Sequence, residues 1–230
     1  MDEKQTRWEK LKNRSDWHFD NLKPAEQGKD SFTHICRFIA DWSDVIAEYD
    51  PKAWPSYYNN PKQITKESTI NSATTNLESF YGISNVKNDL FNKVAEWLGI
   101  ELDTVKISYH NQKTGQMCVE HFDNFLMFRT DNKDNDLDSK PSNPESMRRF
   151  AIMLSDWQLG QVFMLGNGLF HQWRAGDCIT WEWQDIPHAT CNMGWEDRPM
   201  LQITGYTTDR TKKVLANASK DLEINIEANS

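Results

Sequence analysis

Beyond residue 103 the chain breaks into short apolar runs bounded by turn-forming residues, and this pattern restricts the fold more than any other feature. Val105, Ile107 and Tyr109 alternate with Lys106 and Ser108, the period of a half-buried strand. Further strands are expected over residues 116–122, 150–154, 161–165, 169–173, 178–183 and 201–206. Gly166-Asn167-Gly168 and Ala175-Gly176-Asp177 supply turns between them. Short, closely spaced strands of this kind make a sandwich or jelly roll rather than a parallel sheet.

The first hundred residues read differently. From Ile35, the positions Ile35, Phe38, Ile39, Trp42, Val45, Ile46 and Tyr49 recur at three- and four-residue steps, predicting one amphipathic helix stopped by Asp50-Pro51. A second helix is predicted from about Asn85, carrying Val86, Leu90, Phe91, Val94, Trp97 and Leu98 on one side, with Ser84 as N-cap and Gly99 as its stop. The aromatic loop 54–61 between them is expected to pack on the core. Helices first and strands afterwards give an α+β chain whose N-terminal helices cover one sheet. The expected organisation is a single domain over 1–230. It has a mainly helical part (1–102), a β core (103–210) and a polar, peripheral tail (211–230). Within the core, residues 129–147 hold almost no apolar side chain and read as a mobile loop or lid.

Charge and cysteine usage exclude several function classes. With 26 basic against 34 acidic residues, the net charge of −8 argues against a polyanion partner. Arg148-Arg149, and Arg210 with Lys212 and Lys213, read as solvated faces. Cys36, Cys118, Cys178 and Cys191 show no CxxC spacing, so no zinc site is built on them. Neither a secretory h-region nor a membrane-length apolar run is present, which favours a cytoplasmic protein with reduced thiols. Five of the ten tryptophans (Trp157, Trp173, Trp181, Trp183 and Trp195) fall in the strand-rich part and point first to a packed β core.

Against this background four dispersed residues carry chemistry. His121-Phe122-Asp123 places two ligand-type side chains on one face of a strand end, because alternate strand residues point the same way. His188 follows Asp185-Ile186-Pro187, and Arg198 begins the segment RPMLQITGY. Two histidines and one carboxylate suit a non-haem iron site with open coordination positions. Along the last strand Arg198, Met200, Gln202 and Thr204 share a face, and a buried guanidinium matches a carboxylate at two points. Taken singly, each has a plainer reading: a surface His–Asp hydrogen bond, a core histidine, an arginine paired with Glu196 or Asp197.

In the order HxD…H…R, with the arginine ten positions after the distal histidine, the stretch from Tyr109 to Tyr206 resembles the iron(II)/2-oxoglutarate-dependent dioxygenases, in particular the prolyl hydroxylase-like branch. Trp173-Arg174-Ala175-Gly176-Asp177, His188-Ala189 with Asn192, and Thr204 belong to the same match. The resemblance implies a double-stranded β-helix core of jelly-roll or cupin-like type. It implies Fe(II) held by His121, Asp123 and His188, with O2 and 2-oxoglutarate as co-substrates. The far carboxylate of 2-oxoglutarate would lie on Arg198. Many relatives carry a serine two residues beyond the arginine, where this chain has Met200. Thr204, Tyr109 and Gln202, in that order, are the candidates for the second contact. Asn192 and Trp181 are expected to hold the ligands. Asp123 argues against halogenation, since halogenases of this type lack that carboxylate. The implied activity is hydroxylation of a peptidyl or free amino acid or a small polar metabolite. Two other readings stay open: a cupin-like metalloenzyme using Mn or Zn without 2-oxoglutarate, and a non-enzymatic jelly-roll binding or virion domain.

Overall fold

The structure, a computed structural model, describes residues 31–48, 80–84, 86, 88–123, 146–166, 168–184 and 186–226. The expected loops 54–61 and 129–144 lie outside these residues.

Fourteen elements follow one another: β1 (Thr33–Ile39), α1 (Ser43–Glu48), β2 (Phe80–Ser84), α2 (Asp89–Leu98), β3 (Lys106–Gln112), β4 (Gln116–His121), β5 (Met147–Met153), β6 (Gln161–Leu165), β7 (Gly168–Phe170), β8 (Asp177–Thr180), β9 (His188–Asn192), β10 (Arg198–Tyr206), α3 (Asp209–Ala216) and β11 (Glu223–Asn225). They form a seven-stranded sheet in the order β11-β1-β8-β5-β10-β3-β2 and a four-stranded sheet in the order β4-β9-β6-β7. From β3 to β10 the chain crosses repeatedly between the two sheets, and the pairings within the core are antiparallel. The inner strands β8-β5-β10-β3 face β4-β9-β6-β7, which is the arrangement of a double-stranded β-helix. The α+β expectation therefore holds.

Strand alternation divides the large sheet into two apolar surfaces. Phe150, Ile152, Leu201, Ile203, Ile107 and Tyr109 point outward and are covered by Phe91, Val94, Ala95 and Leu98 of α2. Ala151, Met153, Ile179 and Met200 point inward and meet Phe163 and Leu165 of the small sheet, with Trp173, Trp181 and Trp183 filling the space. Four of the five tryptophans thus serve the core as expected, while Trp195 is exposed.

The predicted first helix is largely a strand. β1 is hydrogen-bonded on both sides, antiparallel to β8 and parallel to β11. A register shift between His34 and Cys36 buries the adjacent Ile35 and Cys36 together. That bulge removes the alternation a strand normally shows in its sequence. Only the short α1 that follows is helical. The second helix is present but begins later: Ser84 ends β2, and the N-cap is Asn88, whose side chain accepts from Leu90 N at 2.9 Å. Gly99 closes it as predicted, in the left-handed region at φ 75°.

Of the expected tail 211–230, residues 211–226 pack on the fold. Thr208 caps α3, and Thr211, fully buried, donates to Gly99 O at 2.6 Å, so α3 docks on the end of α2. β11 then extends the large sheet alongside β1. No helix among the described residues is long and apolar enough to cross a membrane.

Candidate metal and co-substrate site

The small sheet positions both histidines. His121 ends β4, His188 begins β9, and the two are cross-strand partners. A register shift between Cys118 and His121 turns the latter inward at the strand end. Their rings lie 4.3 Å apart, and Trp181 packs on His188 at 4.9 Å. Asp123, two residues on, brings Oδ1 to 3.9 Å from His188 Nε2. The three side chains offer ligand atoms that all lie within 4.8 Å of one another. Small side-chain rotations bring such a set onto one ion at ordinary bond lengths near ~2.1 Å.

Burial first, and then the neighbouring His121, pushes the His188 pKa down to about 3, although Asp123 pulls the other way. The imidazole is therefore neutral at neutral pH and has a lone pair for a metal.

Arg198 lies inside the barrel at 1% exposure. Its Nε donates to Gln112 Oε1 at 3.0 Å, and its guanidinium sits 5.9 Å from the Phe163 ring centre. Nη1 and Nη2 are buried with no hydrogen-bond partner among the described residues. Burial lowers its pKa only to about 10, so the group stays charged. A charged fork with its outer edge unspent suits a carboxylate, and leaving it unmatched is costly. The metal triad and Arg198 are linked through Cys118. The Cys118 sulfur lies 3.6 Å from His121 Nδ1, and Cys118 and Arg198 interact electrostatically.

The remaining expected contacts are redistributed. Tyr109 is turned the other way, into the core beneath α2, because strand alternation puts it opposite Ser108 and His110. Asn192 is spent on the backbone: Nδ2 donates to Gln112 O and Glu196 O, both at 2.8 Å, and Oδ1 accepts from Gly194 N. These bonds tie β9 to β3 and to the turn that follows it. Thr204 does face inward but accepts from Arg149 Nε at 3.0 Å, six residues along β10 from Arg198. Gln202 shares the inward face, as expected.

Three residues of the site escaped the sequence reading. Arg149, taken for part of a solvated face, points inward from β5 and pairs with Asp123. Only Arg148 matches that expectation, being paired with the exposed Glu182. The signal was present: Met147, Arg149, Ala151 and Met153 form one alternating row. His110, inside β3, feels Arg149, Arg198 and Asp123, and burial is the main cause that pushes its pKa down to about 3. Gln112 joins the two sheets by donating to Thr190 Oγ1 at 3.1 Å while it holds Arg198.

Two neutral buried imidazoles have a consequence in acid. Both are deprotonated in the folded protein down to about pH 3 but take up protons near 6.5 once unfolded. The unfolded chain binds more protons throughout that window, so stability falls as pH drops from 6.5 towards 3, by about 1.4 kcal/mol per pH unit for each imidazole. Melting of the metal-free protein across pH 7 to 5 is expected to show this slope, and His110→Asn should flatten part of it. A flat wild-type profile would contradict the burial.

No family model matches the chain, and no curated protein matches it. Among solved structures, similar folds include a cupin 2 conserved barrel domain protein from Salinispora arenicola (9% identity, 60% of this chain and 83% of that one, TM-score 0.32). Others are the Cnp3 cupin domain of Schizosaccharomyces pombe (9%, 58% and 69%, 0.34) and a predicted oxalate decarboxylase from Thermotoga maritima (12%, 55% and 80%, 0.32). The chain has a double-stranded β-helix fold on its own strand order, with a His–Asp–His group that could hold a metal ion.

Proposed function

We propose that this protein is an iron(II)- and 2-oxoglutarate-dependent dioxygenase, with His121, Asp123 and His188 as metal ligands and Arg198 as the seat of the far carboxylate of 2-oxoglutarate. The observation that carries the reading is the buried Arg198 guanidinium, whose Nη atoms have no hydrogen-bond partner among the described residues, within the barrel that also holds the triad. A metal enzyme without a dicarboxylate co-substrate has no use for a guanidinium held there at such cost. When bound, iron and 2-oxoglutarate supply the oxidising chemistry: one atom of O2 enters the substrate C–H bond as hydroxyl, the other enters succinate, and CO2 leaves.

The protein's own contribution is positional. The two imidazoles and the Asp123 carboxylate would hold the ion, and three protein ligands would leave room for others. Gln112 and the Phe163 ring fix the plane of the Arg198 fork. Trp181 and Phe163 pack beside His188 and keep water from that side of the site.

Anaerobic addition of Fe(II) and 2-oxoglutarate to the metal-free protein is expected to produce the visible charge-transfer band of the ternary complex, and His121→Ala to abolish it. A colourless wild-type mixture would overturn the assignment.

A further inference from the structure

We propose that Cys118 is a positioning residue of the metal centre: its sulfur holds the Nδ1 side of the His121 ring, so that Nε2 is the atom His121 gives to the ion. The inference rests on the metal-site part of the reading above and adds a fourth side chain to it.

Residues three apart on a regular strand lie on opposite faces, so the sequence alone sets Cys118 and His121 apart. β4 departs from that rule. Cys118 stands opposite Thr190 and His121 opposite His188, so three steps along β4 match two along β9, with a register shift between them. The extra residue makes a bulge, and it brings Cys118 and His121 to the same face in successive rows. That face is the inner one. Thr190 and His188 are both buried, and Thr190 Oγ1 accepts from Gln112 Nε2. Met117, on the other face, is exposed. Cys118 Sγ then lies 3.6 Å from His121 Nδ1, a hydrogen-bond distance for sulfur.

The sulfur is a neighbour of the ligand set and not a member of it. His121, Asp123 and His188 offer atoms within 4.8 Å of one another, and Cys118 is outside that group. An imidazole gives a metal one lone pair, and the hydrogen bond made by its other nitrogen selects which. With Nδ1 against the sulfur, the Nδ1 proton is donated to Sγ and the lone pair sits on Nε2. His188 also presents Nε2 to the site, 3.9 Å from Asp123 Oδ1. The two cross-strand histidines thus offer the same nitrogen. Outer partners of this kind are worth about 10- to 100-fold in metal affinity, and a weak acceptor such as sulfur belongs at the low end.

The experiment uses the full chain, stripped of metal with its thiols reduced, and Co(II) and Zn(II) as probes in competition with a chromophoric chelator. Cys118→Ala is expected to weaken both metals about tenfold. Cys118→Ser, whose hydroxyl also accepts, should return to within about threefold of the wild type. Long-range proton–nitrogen spectra of the zinc-loaded wild type should show His121 protonated at Nδ1, with a slowly exchanging proton that Cys118→Ala makes fast. The wild-type spectrum decides the matter even if a variant fails to fold. Metal held through Nδ1 of His121 would overturn the proposal, as would a sulfur-to-cobalt charge-transfer band, which makes Cys118 a ligand. So would wild-type affinity in Cys118→Ala. A wild type that binds neither metal sinks the metal site instead, so the two failures are distinguishable.

Discussion

Arg198→Met is expected to weaken 2-oxoglutarate binding by about two to three orders of magnitude while leaving the metal-free protein as stable as before, or more so. Removing one side of a buried charge pair costs roughly 2–5 kcal/mol of binding. Folding responds with the opposite sign. In the ligand-free barrel the guanidinium is a buried charge with two unmatched donors, a burden that methionine of similar bulk relieves. The lost Gln112 hydrogen bond offsets part of that gain. Arg198→Lys should recover little of the affinity, because a point charge does not supply two parallel bonds. Titration of the charge-transfer band and thermal melts of the same samples give both numbers. A variant that binds 2-oxoglutarate as tightly as the wild type would remove the co-substrate from the account, and a sharply lower melting temperature would mean that Arg198 is chiefly structural.

Asp123→Ala should act in two ways at once. Iron binding is lost with its carboxylate ligand, and the metal-free protein loses about 3 kcal/mol because Arg149 stays in the barrel without its carboxylate. The double variant Asp123→Ala/Arg149→Met separates the effects, since it should regain much of the stability and none of the metal. Calorimetric unfolding and metal analysis after dialysis give the two readings. If the single variant is as stable as the wild type, the Arg149–Asp123 pair contributes nothing to the fold.

Much of the candidate site was legible because its residues obey local rules. His121 and Asp123 share a face through strand alternation, and the resemblance pointed to Arg198, ten residues after His188. The strands β3, β5, β6 and β10 were visible for the same reason. What stayed hidden depended on partners far away in the sequence. Ile35 to Ile39 read as helix because a bulge erased the alternation, and only pairing with β8 and β11 makes that segment a strand. Tyr109 and His110 are adjacent and both aromatic. Which of them faces the barrel interior is set by where α2 packs, and it is His110 that lies near Asp123, Arg149 and Arg198. Arg149 looked like a surface charge until the opposite sheet supplied Asp123. Asn192 was correctly linked to the site region but serves its backbone turn.

The placement of β1 also governs how the chain comes together in time. Arg37 in that strand donates to Ala175 O, 138 residues later, and bonds Glu223, 186 residues later. On a ribosome, the earliest described strand is finished long before either of its neighbours exists, and its second flank is completed only once Glu223–Asn225 has been made. Such distant closures slow assembly and leave an apolar, unpaired backbone waiting in the meantime. Until those strands are made, Ile35, Cys36 and Phe38 lack the neighbours that bury them in the folded protein.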